Sequence, residues 1–482
     1  MTRNVSNAVL LFSYINRIIE HRIFRMIDYI EKVKNIIIDL NNTDGRVRKV
    51  YSLTFGCQQN EADSERLLGT AISMGYVKCA APEEADLILV NTCAIREHAE
   101  LKALSIIGQF KHLKDKNRGL IIGVCGCMTA QEHRVNELKH RYPYVSFTLD
   151  PSEMSMLPYV MYRHLTEQKR IFLLDESVDN IGEGMPAERS NPLKSWLSIM
   201  YGCNNFCTYC IVPYVRDRER SRSKDAVMSE ARALVASGTR EITLLGQNVN
   251  SYKGECNFAE LLDEVASIDG DYIVRFMTSH PKDASDELFD VMANNPKIAR
   301  HFHLPLQSGS DDVLMRMNRR YGREKYMSLI DKLREKMPDI TITSDIIVGF
   351  PGETEADFED TLDIIRRARF DMIYSFIYSP RKGTPAAEMP DQIPREVQNA
   401  RFDRLLELQN SIALEKNEEM VGRVFRCLSE GESKSNDGIF VARTEGNKIV
   451  HFVDPDGSTK GKFVDIRINR AEPFLVHGEL VK

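Results

Sequence analysis

Cys203-Asn204-Asn205-Phe206-Cys207-Thr208-Tyr209-Cys210 is the stretch that decides this chain: three cysteines, spaced by three residues and then by two. Three thiolates are too few to close a tetrahedral structural zinc site. They suit an iron–sulfur cluster, which ordinarily takes four cysteine ligands. With three, one iron stays open to a ligand that is not protein, and an open iron does chemistry rather than plain electron storage. The plainer alternative is a zinc knuckle or three buried thiols, since short motifs arise by chance.

Around that stretch the chain reads as a series of βα units. Apolar, strand-like runs recur at 196–201, 241–245, 272–277, 301–306, 340–348 and 371–378, with helical segments between them. Six such units make a partial barrel. Polar or glycine-bearing residues follow each run, among them Gly246-Gln247-Asn248, Ser279-His280-Pro281, Gln307-Ser308-Gly309 and Gly349-Phe350-Pro351-Gly352-Glu353. Barrel enzymes place their chemistry at that C-terminal face.

Upstream, residues 47–165 also read as α/β. The runs 50–55, 85–91 and 119–124 have strand length, and each leads directly to a cysteine: Cys57, Cys93 and Cys127. The gaps, 93 − 57 = 36 and 127 − 93 = 34 residues, each match one βα unit. Parallel strands end on one edge, where ligands bind, so a second three-thiolate site is expected there. Cys125 is two residues from Cys127, and strand alternation puts both on one face. Cys79, Cys256 and Cys427 have no companions at ligand spacing and read as packed thiols. Between these cysteines, Ile95, Ala99, Ala103, Ile106, Phe110 and Leu113 line one helical face.

Residues 166–194 hold Asp175, Glu176, Asp179, Gly182, Glu183, Gly184, Pro186 and Pro192 and read as a linker. Residues 418–482 carry short strand-like runs joined by Asn436-Asp437-Gly438, Glu445-Gly446-Asn447 and Asp454-Pro455-Asp456-Gly457, which predicts a small antiparallel barrel. Residues 1–46 stand apart. Ile15, Ile19, Ile23, Met26, Ile30, Val33 and Ile37 follow a helical period, so the segment is either an added helix or follows a translation start placed too early.

Composition bounds the rest. Over 482 residues, 43% hydrophobic and 28% charged residues describe a globular chain, and a net charge of −6 gives no global sign of a nucleic-acid partner. Ten cysteines in a chain this long are no secreted disulfide scaffold. With no secretory signal and no membrane span, a cytoplasmic protein is expected. The densest basic run is Arg216, Arg218, Arg220, Arg222 and Lys224, diluted by Asp217, Glu219 and Asp225.

The cysteine spacing, together with Met200-Tyr201-Gly202 before it and Ile211-Val212-Pro213-Tyr214-Val215-Arg216-Asp217-Arg218-Glu219-Arg220-Ser221-Arg222 after it, resembles the radical S-adenosylmethionine (SAM) enzymes of the methylthiotransferase family. Gly56-Cys57-Gln58-Gln59-Asn60, Asn91-Thr92-Cys93-Ala94-Ile95-Arg96 and Gly126-Cys127-Met128-Thr129-Ala130-Gln131 resemble its auxiliary-cluster motifs, which favours Cys127 over Cys125 as ligand. Cys93-Ala94-Ile95-Arg96-Glu97-His98-Ala99-Glu100 is similar to the MiaB-type tRNA branch. The resemblance runs from about Lys49 to the C-terminus.

It implies a methylthiotransferase N-terminal domain (47–165), a radical SAM core (195–417) and a TRAM RNA-binding domain (418–482). It implies two [4Fe–4S] clusters, on Cys203, Cys207 and Cys210 and on Cys57, Cys93 and Cys127, with SAM held at the first. The activity implied is methylthio transfer to carbon 2 of isopentenyl-adenosine beside the tRNA anticodon. Siblings act on threonylcarbamoyl-adenosine or on a ribosomal protein, and a non-catalytic iron–sulfur RNA-binding protein is the alternative of another class. Expected SAM contacts are Gln247, Ser279, Gln307 and Glu353, with loop capping as the bland alternative for each. Arg216, Arg218, Arg220 and Arg222 are expected at substrate phosphate, where Lys and Arg supply the salt-dependent part of affinity. The family usually has glycine where this chain has Asp217. An electron donor such as a flavodoxin or ferredoxin, tRNA as partner and a monomeric state complete the expectation.

Overall fold

The computed structural model describes residues 26–95, 97–173, 184–434 and 438–481. Ile15, Ile19, Ile23, Arg96, five of the linker residues (Asp175, Glu176, Asp179, Gly182 and Glu183), and Asn436 and Asp437 lie outside them. Contacts divide the chain into two compact units: Met1–Ser190 with Val212–Arg220, and Asn191–Ile211 with Ser221–Lys482. The segment just after the Cys203–Cys210 stretch thus belongs to the first unit, although the sequence reading puts it in the central domain.

The first unit is built on a six-stranded sheet. Its strands are Lys49–Thr54, Val77–Lys78, Leu87–Thr92, Ile121–Gly126, Phe147–Leu149 and Ile171–Phe172. All neighbours pair in parallel. Leu87–Thr92 and Ile121–Gly126 are buried at every position, as strands covered on both faces must be. The last strand, Ile171–Phe172, corrects the linker reading at its start: this two-residue strand pairs with Phe147 and Thr148 and belongs to the sheet.

Two cores cover the sheet. One gathers Leu67, Leu89, Cys125, Phe147 and Val160, and the other Ile88, Leu104, Ile107, Val124 and Leu138. The expected helical face is widened. The helix Glu97–Gln109 begins after Ile95, which is exposed; Ala103, Phe110 and Leu113 are buried as expected, Ile106 is half-buried against the same core, and Leu104 and Ile107 join them. Residues 26–44 are helical and bury Val33 and Ile37 in the first core, while Tyr29 packs edge-on against Tyr159. The described half of the N-terminal segment is therefore a helix that packs on the unit.

In the second unit the six foreseen strands are present. Lys194–Ser198, Glu241–Leu245 and Ile273–Phe276 form one three-stranded parallel sheet; His301–His303, Thr341–Val348 and Met372–Ile377 form another. A parallel bridge from Val274 to Ile298 joins them into an open arc in chain order. Helices cover its outside; capping boxes at Asn257 and Thr354 start two of them by satisfying otherwise unpaired N–H groups. A helix over Arg395–Glu418 leads to the C-terminal barrel.

That barrel is closed by five strands, Val424–Glu432, Phe440–Thr444, Ile449–Phe452, Phe463–Ala471 and Val476–Leu480. It differs from the expected antiparallel barrel in one pairing: Ile449–Phe452 runs parallel to Val476–Leu480, the strand the sequence reading missed. It docks on the N-terminal ends of the central strands. Buried Arg275 pairs with Glu241 at 2.7 Å and donates to the carbonyls of Thr444 (2.8 Å) and Glu445 (2.6 Å). No helix among the described residues is long and apolar enough to cross a membrane.

Candidate cluster-binding sites

In the first unit, Cys57, Cys93 and Cys127 all stand just past the C-terminal ends of parallel strands. Gly56 makes the first approach possible. Its φ is +124°, and a Cβ there would lie 2.9 Å from Cys93 Cβ. Gly126 (φ +97°) ends its strand in the same way and turns Cys127 into a short 3-10 segment. This separates Cys127 from Cys125, which stays in the strand and packs in the core, so strand alternation does not carry across the pair. Burial pushes the Cys125 thiol up, as expected of an inert packed thiol.

Cys57 is the N-cap of the helix Gln58–Ser73. The Cys57 thiol lies 3.3 Å from Asn60 Oδ1, and the Ile95 amide donates to Cys93 Sγ at 3.3 Å. Asn60 Nδ2 bonds the Thr92 carbonyl at 2.8 Å, and Asn91 Nδ2 returns a bond to the Asn60 carbonyl at 2.8 Å. This exchange ties two of the cysteine-bearing turns together. The third is reached by Arg216, whose Nε donates to Cys127 Sγ at 3.1 Å. Its Nη2 donates to Asn60 Oδ1 at 3.1 Å and to Asp63 Oδ2 at 2.8 Å. Burial pushes the free Cys127 thiol up to about 12, against the pull of Arg216, so loading a cluster there must release a proton.

In the second unit, Cys203 and Cys207 are buried and Cys210 is half-buried. The loop is shaped by left-handed backbone at Gly202 (φ +72°) and Phe206 (φ +49°) and by a turn from the Cys210 amide to the Cys207 carbonyl, 2.9 Å. Residues 316–321 brace it. Asn318 Nδ2 donates to the carbonyls of Asn205 (3.2 Å) and Phe206 (2.9 Å), and Thr208 Oγ1 donates to the Arg316 carbonyl at 2.9 Å. Arg319 Nη1 donates to Cys207 Sγ at 3.3 Å, its Nη2 to the Pro305 carbonyl at 2.9 Å and its Nε to Tyr321 Oη at 2.9 Å. None of these bracing residues carries a motif that sequence reasoning could seize on.

No three His, Cys, Asp or Glu side chains among the described residues converge tightly enough for a single metal ion. The triads fit a larger group. An iron–sulfur cube spreads its thiolates over several irons, and in each triad a polar N–H already points at one sulfur.

The expected SAM contacts divide. Gln247, Ser279, Gln307 and Glu353 all follow C-terminal strand ends. The side chains of Gln247 and Gln307 hydrogen-bond no described residue, and Gln307 holds a left-handed φ of +74°. Ser279 and Glu353 already have partners within the chain. Ser279 Oγ donates to the His303 carbonyl. Glu353 is buried and accepts from the Gly349 amide (2.8 Å) and from Arg401 Nη1 (2.9 Å), so it braces its own loop. Burial outweighs both partners and pushes its carboxyl up to about 7. Gly349 and Gly352 hold left-handed φ of +75° and +73°, and a Cβ at Gly349 would lie 2.5 Å from Gln398 Cγ. Asp345, which the sequence reading did not single out, is half-buried with its Oδ1 3.6 Å from His303 Nε2.

The basic run also divides. Arg216 and Arg222 are each 3% exposed and are occupied within the chain. Arg216 serves Cys127 and Asp63, and Arg222 Nη1 bonds the Ser198 carbonyl and Glu230, both at 2.7 Å. Arg218 is exposed, and Arg220 lies 3.6 Å from Asp217. Asp217 takes φ +62°, the conformation that glycine adopts freely.

Comparison with known proteins agrees with this architecture. The radical SAM superfamily model matches residues 197–365, the uncharacterized protein family UPF0004 model matches 49–150, and the TRAM domain model matches 418–481. A tRNA-2-methylthio-N(6)-dimethylallyladenosine synthase from Acetivibrio thermocellus is 47% identical over 459 residues, covering 94% of this chain and 95% of that protein. The protein of the same name from Alkaliphilus oremlandii is 48% identical over 459 residues, covering 94% and 97%. Among solved structures, the radical SAM methyltransferase TsrM from Kitasatospora setae shares the fold at a TM-score of 0.52 and 15% identity, over 81% of this chain and 79% of that one. With two cysteine triads at strand ends, a closed C-terminal barrel and relatives this similar along nearly their whole length, the chain belongs to the radical SAM methylthiotransferase family of the tRNA-2-methylthio-N(6)-dimethylallyladenosine synthases.

Proposed function

We propose that this protein adds a methylthio group to carbon 2 of isopentenyl-adenosine next to the tRNA anticodon. The observation that carries the reading is the pair of separate cysteine triads, each at the C-terminal edge of parallel strands, in one chain with a TRAM-type barrel. Cys203, Cys207 and Cys210 hold one [4Fe–4S] cluster and Cys57, Cys93 and Cys127 a second. When bound, the clusters and SAM supply one-electron, radical, sulfur- and methyl-donating chemistry that no side chain provides.

The chain's own residues bind and orient. Gln247 and Gln307 offer free amides at the strand ends for SAM, while Glu353 and Arg401 keep the 349–353 loop rigid beside them. Exposed Arg218 is the member of the basic run suited to a substrate phosphate. An unpaired anticodon-loop base can be splayed out and read on its edges, which suits a site at strand ends. The working state is a monomer supplied with electrons by a flavodoxin or ferredoxin.

The test is mass spectrometry of tRNA nucleosides from cells with and without the protein. Loss of methylthio-isopentenyl-adenosine with accumulation of isopentenyl-adenosine is expected. An unchanged nucleoside profile overturns the substrate assignment and directs attention to the threonylcarbamoyl nucleoside and the ribosomal protein.

A further inference from the structure

Two arginines are almost wholly buried beside the triads, Arg216 at 3% and Arg319 at 4% exposure. Each donates to one sulfur, Arg216 to Cys127 at 3.1 Å and Arg319 to Cys207 at 3.3 Å. Their remaining partners differ in charge. Arg216 carries its own counter-ion, Asp63, at 2.8 Å, and Asp63 is itself buried. Arg319 bonds only neutral oxygens besides the sulfur, those of Pro305 and Tyr321, and no carboxylate among the described residues pairs with it.

We propose that these two guanidiniums set the reduction potentials of the two clusters apart: the unopposed charge of Arg319 raises the potential at Cys203, Cys207 and Cys210, while Asp63 cancels most of the Arg216 charge at the other triad. The inference rests on the two-cluster reading above. Each [4Fe–4S]2+ cluster takes one electron from a low-potential one-electron donor and becomes [4Fe–4S]1+, with no bond broken and no proton moved. The added negative charge is stabilised by a nearby buried cation and by N–H bonds to ligand sulfur, both recognised determinants of cluster potential. In a water-poor surrounding such a charge acts strongly. A neutral Arg216–Asp63 pair still donates its hydrogen bond but adds little net field. At one donor potential, the cluster beside Arg319 therefore fills first, and electrons go to the cluster that binds SAM. Both arginines are positioning residues that act through the cluster ligands.

A purely structural role predicts something else. Arg319 bridges the cysteine loop to Pro305, and Arg216 bridges Cys127 to the helix Gln58–Ser73, so their loss by itself would cost iron and leave the potential of any retained cluster unchanged. Asp63→Asn separates the two ideas, because it leaves Arg216 in place and uncovers its charge.

The experiment is a redox titration of the full chain, reconstituted anaerobically with iron and sulfide and read by electron paramagnetic resonance. Each cluster is isolated by changing the other triad to alanine, and iron is counted in every sample. In the Cys203 cluster, Arg319→Gln should lower the ratio of reduced to oxidised cluster about tenfold at a fixed poise, or about 59 mV for one electron, and Arg319→Lys should lose less. In the Cys57 cluster, Asp63→Asn should raise that ratio by a similar factor. Iron-retaining variants with unmoved potentials overturn the proposal, as does an Asp63→Asn shift in the downward direction. If Arg319→Gln fails to hold iron, Arg319→Lys and Asp63→Asn decide the matter on the same criteria. A wild-type chain binding about four irons instead of about eight breaks the two-cluster reading itself, and the proposal with it.

Discussion

The two triads reach the same kind of site by opposite routes. Cys203, Cys207 and Cys210 come from one short loop, so sequence spacing alone brings them near one another. That loop has little regular structure of its own and depends on residues 316–321 to hold its carbonyls and one sulfur. Cys57, Cys93 and Cys127 lie tens of residues apart and meet only because three parallel strands end on one edge. The Cys57 and Cys93 turns are then locked to each other by the Asn60–Asn91 exchange, and Arg216 ties in Cys127. A contiguous motif is easy to find and needs outside support, whereas a dispersed one is hard to find and is supported by the sheet that creates it.

The contrast breaks most sharply at the cysteines. Cys127→Ala and Cys207→Ala should each lose about half the iron, counted colorimetrically after reconstitution, because three-ligand sites tolerate no further loss. Only Cys207→Ala should also abolish 5′-deoxyadenosine production from SAM, measured by chromatography under reducing conditions. If Cys127→Ala abolishes it too, the two sites do not act independently.

Backbone substitutions come next. Gly56→Ala places a Cβ 2.9 Å from Cys93 Cβ at a φ of +124°. Strain of this kind costs on the order of 1–3 kcal/mol, so a lowered Tm and selective loss of the dispersed cluster are expected. A variant with normal iron in both sites contradicts the tight approach. On the other side, Asn318→Ala removes two bonds to the contiguous loop, at about 1 kcal/mol each, and should weaken only that site's iron.

Glu353 makes the second unit sensitive to pH. Its carboxyl is pushed up to about 7 by burial, so the folded state binds the proton more tightly than the unfolded chain does. Its stabilising contribution is therefore present below about pH 4.5 and is lost as pH rises through about 7, by an amount on the order of 3 kcal/mol. Urea unfolding of wild type and Glu353→Gln between pH 5 and 8 checks the sign. The variant should show a flatter dependence. The smallest effect is expected at Arg218: Arg218→Ala should weaken tRNA binding and reduce its salt slope by about one. Salt-dependent filter binding measures it, and an unchanged slope removes Arg218 from the interface.

Much of the plan was legible in the residues. The strands leading to Cys57, Cys93 and Cys127 are apolar-rich runs with βα spacing, and six further strand-like runs outline the arc. What was not legible has physical causes. Arg216 and Arg222 sit in a basic run expected at substrate phosphate, but burial depends on what the fold packs over them and not on their neighbours in sequence. Glu353 follows a glycine loop that invites a ligand, and its partner Arg401 lies 48 residues away. Val476–Leu480 closes the terminal barrel by a parallel pairing that no hairpin turn announces.

By itself, the sequence determined the spacing of the two cysteine triads, because residue type and position are fixed along the chain. It also marked the six strands of the central arc, because apolar runs of strand length must be buried. Only the tertiary structure decided what surrounds each thiolate. Arg319 reaches Cys207 from 112 residues away, and Arg216 reaches Cys127 from 89. Such contacts are made by packing between distant segments, where a guanidinium buried away from water must find an acceptor, and no local pattern encodes which one it finds.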